Sequence, residues 1–210
     1  MKLYVHPLSP PALGVMFTAE AIGLAYDKAV VNLAKGEQRS PEYAAINPKG
    51  KVPALDDDGF TLSESAAIMR YLAKRENSPL YPEAAQAQAK VDEWMDYIGH
   101  HIRTPYGRIQ FHRLVAPMLG QEPDPKIIDL ALKDLSQNLP FIETQLSETP
   151  YLCGDHLTLA DIALIAAIDS TEALKIDLSP YPALSKWREA RRSEDFYTSV
   201  HSHFGAEIGL

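Results

Sequence analysis

The sequence holds a single cysteine, Cys153, so no disulfide can close within the chain and neither a CxxC pair nor a four-cysteine zinc site can form. Positive charge is also scarce: 20 Lys and Arg stand against 28 Asp and Glu, a net charge of −8 with histidine neutral. Nucleic-acid binders carry a basic stripe for the phosphates, so that balance argues against such a partner. No apolar run approaches the ~18 uninterrupted residues of a membrane span. The opening MKLYVHPLSPPALG has too short an apolar run, and too many prolines, for a secretory signal. His100 and His101 lack the i, i+4 spacing of helical metal ligands, so no metal site is expected. These absences leave a soluble cytoplasmic protein as the default. What is present is globular: 46% hydrophobic and 23% charged over 210 residues, enough for one large domain or two small ones.

Along the first third of the chain the hydrophobic period alternates between strand and helix. KLYV (residues 2–5) reads as a short strand, and ALGVMFTAEAIGL after Pro10-Pro11 as a helix with Gly23 at its C-terminal cap. AYDKAVV is a second strand, and Ser40-Pro41-Glu42 opens a short helix with serine at N-cap and proline at N1. VPAL and FTL flank Asp56-Asp57-Asp58-Gly59, a hairpin turn signal, and SESAAIMRYLAK has helical spacing. The order β-α-β-α-β-β-α suits a sheet covered by helices on both faces. Periodicity stops around Glu76–Pro82, which marks a boundary between a domain at 1–76 and one at 84–210. The second part reads helical throughout. A long helix is expected at 84–119, bent near Pro105, with others at about 124–146, 158–171 and 182–192.

Four short stretches stand out. Thr158-Leu159-Ala160-Asp161 has the spacing of a capping box, with Leu157 and Ile162 placed as the matching hydrophobic staple; this is a helix start and carries no chemistry. Val52-Pro53 precedes a short strand, where proline fits either a strand start or a cis turn. Ser63-Glu64-Ser65 reads as a serine N-cap with an acidic residue against the helix dipole, and the same helix end suits a bound carboxylate. Ser9, ahead of Pro10, is equally an N-cap and a hydroxyl placed between a strand and a helix.

Taken together, INPKGKVPAL, the SES helix start and GDHLTLADIA occur in an order and spacing that cover nearly the whole chain, and this pattern resembles the cytosolic glutathione transferases. The resemblance implies a thioredoxin-like domain with a four-stranded mixed sheet, followed by an all-α domain. It implies a cis Val52–Pro53 bond whose preceding amide and carbonyl pair with the cysteinyl backbone of glutathione. Ser65 then takes the γ-glutamyl carboxylate and Glu64 its ammonium group, while Lys51 and Gln38 lie towards the glycine carboxylate. HPLSPPALG resembles the loop of the serine-type (delta and theta) classes, in which the first serine stabilises the thiolate. Lowering a thiol pKa from ~8.5 by about two units needs on the order of 2.7 kcal/mol of preferential stabilisation of the anion. Pro10 and Pro11 depart from the usual helix start because they lack N–H groups.

The implied reaction is conjugation of glutathione, as co-substrate, to a hydrophobic electrophile by a homodimer. Tyr106 on the long helix is a candidate for the electrophile pocket. Two alternatives stay open at this point: a glutathione-dependent isomerase of the maleylacetoacetate type, and a non-catalytic adaptor that kept the fold.

Overall fold

The computed structural model describes residues 1–207, with side chains through residue 202; residues 208–210 lie outside the description. In β1 (Lys2–Val5) the buried residues alternate, Leu3 and Val5 pointing to one face and Tyr4 to the other. The helix α1 (Pro10–Ala21) leads to β2 (Asp27–Val30), which pairs parallel to β1. After a 3-10 turn (Glu37–Arg39) and α2 (Pro41–Ile46), the chain forms the hairpin β3 (Ala54–Asp57) and β4 (Phe60–Ser63). β3 is antiparallel to β1, which gives one mixed sheet in the order β2-β1-β3-β4. With α3 (Ser65–Arg75) behind the hairpin, this is the expected thioredoxin-like arrangement.

Local chemistry accounts for each boundary. Ser40 Oγ accepts from the Tyr43 amide at 3.2 Å and so caps α2, as its sequence predicts. Gly23, at φ 69°, ends α1: its amide reaches the Glu20 carbonyl at 3.0 Å and the Leu24 amide reaches Ala19 at 2.9 Å, a Schellman pair. Asp58 and Gly59, at φ 53° and 92°, supply the two left-handed residues of a tight hairpin turn. α2 covers the sheet face that carries Tyr4 and Ala54, through Tyr43 and Ile46. α3 packs on α1 and on the hairpin, where Tyr71 and Arg75 each donate to Asp57 at 2.6 Å. Those two bonds hold the Asp57 carboxyl below its ordinary range.

The chain divides into two compact units, Met1–Pro82 with Arg192 onward, and Glu83–Arg191. The final helix, α10 (Asp195–Glu207), therefore departs from the expected 84–210 domain and packs on α1. Phe17 supplies the reason, with Phe196 edge-on at 5.7 Å and Tyr197 stacked at 5.2 Å.

In the second unit α4 (Ala85–Tyr97), α5 (Arg103–Gln110) and α6 (Ala116–Met118) run through two π-helical turns, Ile98–Ile102 and Phe111–Val115. The irregularity expected at Pro105 thus lies just upstream of it. Pro105 lies three residues past the first of these turns in a helix continuous with it and has no amide to donate back into it, while Thr104 Oγ1 donates to the Gly99 carbonyl at 3.0 Å. α7 (Pro125–Glu148) packs on α5, and α8 (Leu159–Ala167) packs on α4. α8 ends four residues before the expected 171, because Thr171 turns its hydroxyl onto the Ile168 carbonyl at 2.5 Å. α9 (Pro182–Arg192) follows, and Arg188 on it grips Glu172 through two bonds of 2.6 and 2.7 Å.

The capping box forms as the sequence predicts and does more than start α8. Asp161, 0% exposed, accepts from the Thr158 amide and hydroxyl on one oxygen and from the Leu152 amide on the other, all at 2.9 Å. It ties the preceding turn to the helix. Asp161→Ala would leave three buried donors without an acceptor, at a cost of about 3–5 kcal/mol. At about 2–4 °C per kcal/mol for a protein of this size, calorimetry should record a Tm roughly 10 °C lower. Burial pushes the Asp161 carboxyl up to about 6, against 3.8 unperturbed. Its protonation therefore adds stability as pH falls from about 6 towards 4, and the gap between wild type and variant should widen over that window.

Candidate active site

Several loops leave the sheet at one end. Tyr4 pairs with Ala54 and Ala54 with Ser63, so the end of β1, the start of β3 and the end of β4 lie side by side. β2 ends there too, with Val30 opposite Val5. Residues 6–9, 31–39, 49–53 and 64–65 extend from those strand ends, so register gathers Ser9, Gln38, Lys51, Val52, Pro53, Glu64 and Ser65 at one edge. Ligands of open α/β sheets bind in the crevice beyond the carboxyl ends of the strands.

Ser9 is the N-cap of α1, and its Oγ accepts from the Ala12 amide over a long 3.4 Å. Pro10 and Pro11 offer no amide, and those of Ala12 and Leu13 both return to the Ser9 carbonyl at 2.9 Å. No backbone donor of this first turn is left for a ligand. The Ser9 hydroxyl proton is left, since no acceptor takes it among the described residues. The cap uses a lone pair of the oxygen and donation uses its hydrogen, so the two readings of Ser9 are compatible. His6 contributes no charge to this corner. Burial lowers its pKa, and its Nδ1 accepts from the Leu8 amide at 3.2 Å, which places the proton of the neutral ring on Nε2.

The loop before β3 is held from below. Asn47, 1% exposed, donates its side-chain amide to the Lys51 carbonyl at 2.6 Å, and the Tyr43 hydroxyl donates to the same oxygen at 2.6 Å. Burial pushes the Tyr43 phenol up, so it remains a donor. The Val52–Pro53 bond is cis. Neither the amide nor the carbonyl of Val52 has a partner among the described residues. An unpaired donor and acceptor on one residue match one residue of an extended peptide. The Lys51 side chain is exposed at the rim. Gln38 lies against this loop: its carbonyl is 3.1 Å from where a side chain at Gly50 would begin, and Gly50 itself adopts φ 62°. The buried Gln38 Oε1 has no partner among the described residues.

α3 begins differently from the expected serine cap. Ser63 stays in β4, Glu64 is the N-cap and Ser65 is N1. No side chain caps the helix, and the amides of Ala66 and Ala67 take no acceptor among the described residues. Open amides at the positive end of an 11-residue helix suit a carboxylate. Glu64 has φ 72°, a conformation that costs a non-glycine residue ~1–3 kcal/mol and persists where the surroundings impose it. Its carboxylate meets Lys49 Nζ at 3.0 Å.

Tyr106 takes no part in this edge. It is 2% exposed in the core of the second unit, with its hydroxyl 3.1 Å from Thr171 Oγ1 and its phenol pushed up to about 12 by burial. That correction follows from helix rotation, which a single residue on a long helix does not reveal. Tyr43, Asn47 and Lys49 are functional candidates that sequence reasoning missed. Asn47 and Lys49 stood within INPKGKVPAL, which carried the resemblance without giving either residue a role. Among the described residues no group of His, Cys, Asp and Glu could hold a metal, and no helix is long and apolar enough to cross a membrane.

Comparison with known proteins identifies the family. The glutathione S-transferase N-terminal domain matches residues 1–74 and the C-terminal domain matches residues 94–195. Glutathione S-transferase 3 of Zea mays is 35% identical over 196 residues, covering 90% of this chain and 88% of its own. Among solved structures, glutathione transferase F7 of Populus trichocarpa superposes with a TM-score of 0.89 at 30% identity, over 96% of this chain and 97% of that one. A theta-class enzyme of Xanthomonas axonopodis pv. citri with glutathione bound superposes with a TM-score of 0.86 at 29% identity, over 94% and 95%. Sequence and architecture together place this chain in the glutathione S-transferase family.

Proposed function

We propose that this protein is a glutathione transferase that joins the glutathione sulfur to an electrophilic carbon of a hydrophobic small molecule, as a cytoplasmic homodimer. One observation carries the reading: the unpaired amide and carbonyl of Val52 sit at the same sheet edge as the uncapped N-terminus of α3 and the free hydroxyl proton of Ser9. Those groups fit three parts of one tripeptide. Val52 pairs with the cysteinyl backbone. Ser65 and the first-turn amides of α3 take the γ-glutamyl carboxylate, and Glu64 its ammonium. Lys51 offers a flexible ammonium to the glycine end. The terminal amide of Gln38 serves that end too, presenting oxygen to a peptide N–H or, after a half-turn, N–H to the carboxylate.

With glutathione seated this way, the sulfur lies between the backbone anchor at Val52 and the Ser9 hydroxyl. The hydroxyl donates to the thiolate and lowers the pKa of the thiol, which releases its proton to solvent. The thiolate then attacks the electrophilic carbon: a C–S bond forms, and the leaving group departs with its electron pair. Holding both reactants together converts a bimolecular encounter into an effectively unimolecular step.

Ser9→Ala removes one charge-assisted hydrogen bond, about 1.5–3 kcal/mol, or roughly one to two pKa units of the bound thiol. Conjugation at pH 7 should fall about 10- to 100-fold, with the loss shrinking at alkaline pH as the thiol ionises unaided. Ultraviolet titration of bound thiolate reads the same shift. The cap bond is long and single, so Tm should fall by only about 1–3 °C. A large Tm loss with an unchanged pH profile would leave Ser9 as a cap alone, and binding without turnover in the wild type would mark an adaptor. Asn47→Ala tests the anchor from behind. It should raise KM for glutathione roughly three- to tenfold, the worth of about one hydrogen bond, with kcat nearly unchanged.

A further inference from the structure

Lys49 stands at the γ-glutamyl end without a role in that reading. Its ammonium donates to Glu64 Oε1 at 3.0 Å and to Ser63 Oγ at 3.2 Å. The side chains of Lys49 and Glu64 are 56% and 69% exposed, so the contact is an open surface pair that an arriving group can reach. Lys49 lies on the loop that leads to Val52, and its own amide is held by Asn47 Oδ1 at 3.2 Å. The backbone of that loop is therefore fixed, while the side chain reaches across to the start of α3.

We propose that Lys49 is a specificity-determining residue, whose ammonium occupies the Glu64 carboxylate that the α-ammonium of glutathione must claim. The proposal rests on the assignment of Glu64 to that ammonium. An exposed pair of this kind is weak and screened by salt, so glutathione displaces it at modest cost. A tripeptide that lacks the α-ammonium leaves the pair intact and meets a neutralised Glu64 instead of a bare carboxylate beside its own α-carboxylate. Lys49 thus loosens glutathione binding a little and softens the penalty against ligands without the amino group. It narrows the discrimination that Glu64 alone would impose.

Calorimetric titration of the full chain with glutathione and with glutaryl-cysteinylglycine, the same tripeptide without its α-ammonium, tests this. Lys49→Met should bind glutathione about two- to fivefold tighter at low salt, the range of an exposed ion pair. The ratio of the two dissociation constants should widen, and the change should fade at high salt. Lys49→Arg, which restores the pair, should behave as the wild type. Unchanged or weaker glutathione binding by Lys49→Met would overturn the proposal while leaving the Glu64 assignment intact; weaker binding would make Lys49 a partner of the carboxylate. Glu64→Gln separates the two ideas. If it fails to reduce discrimination between the two tripeptides, the Glu64 assignment fails and the proposal falls with it.

Discussion

Pairing of Tyr4 with Ala54, and of Ala54 with Ser63, is the constraint on which the candidate site depends. Those two contacts set the end of β1, the start of β3 and the end of β4 abreast. Three loops with no sequence relationship are thereby delivered to one edge. A slip of one residue in either pair would turn every side chain of the strand to the opposite face, exposing Leu3 or Leu55, both fully buried. The burial that stabilises the sheet is thus the same burial that fixes the site.

Two helices start at this edge, and they end their backbones in opposite ways. α1 satisfies itself: two prolines remove two donors, and the next two amides return to Ser9. What it offers outward is one hydroxyl proton, a neutral donor suited to a soft sulfur anion. α3 has neither proline nor side-chain cap, and offers amides of its first turn at the positive end of the dipole. A hard carboxylate suits that end. The difference arises from sequence, PP after Ser9 against SAA after Glu64.

Much of this was legible in advance, because the signals were local. The strand KLYV, the Ser40-Pro41 helix start, the Asp58-Gly59 turn and the Thr158–Asp161 box each rest on the chemistry of neighbouring residues, and each formed where expected. The cis bond at Val52–Pro53 followed from resemblance to a family, since the dipeptide alone allows either isomer. What stayed hidden depends on distant partners. No pattern around Asn47 shows that Tyr43 will share its target, and nothing near Phe17 shows that Phe196 and Tyr197 will cover it. The π-helical turns on either side of Pro105, the left-handed backbone of Glu64 and the burial of Tyr106 are likewise decided by tertiary packing. Lys49 carried no reading of its own within INPKGKVPAL, and only its distance to Glu64 brings it forward.

Amide hydrogen exchange at single-residue resolution, followed by NMR with and without glutathione, addresses the anchoring of the tripeptide directly. The amides of Val52, Ala66 and Ala67 have no acceptor among the described residues and should exchange quickly in the free protein. Saturating glutathione should slow all three by about tenfold or more, as expected for amides that gain a hydrogen bond. Protection that appears elsewhere, with these three still exchanging freely, would contradict the placement of glutathione along this edge.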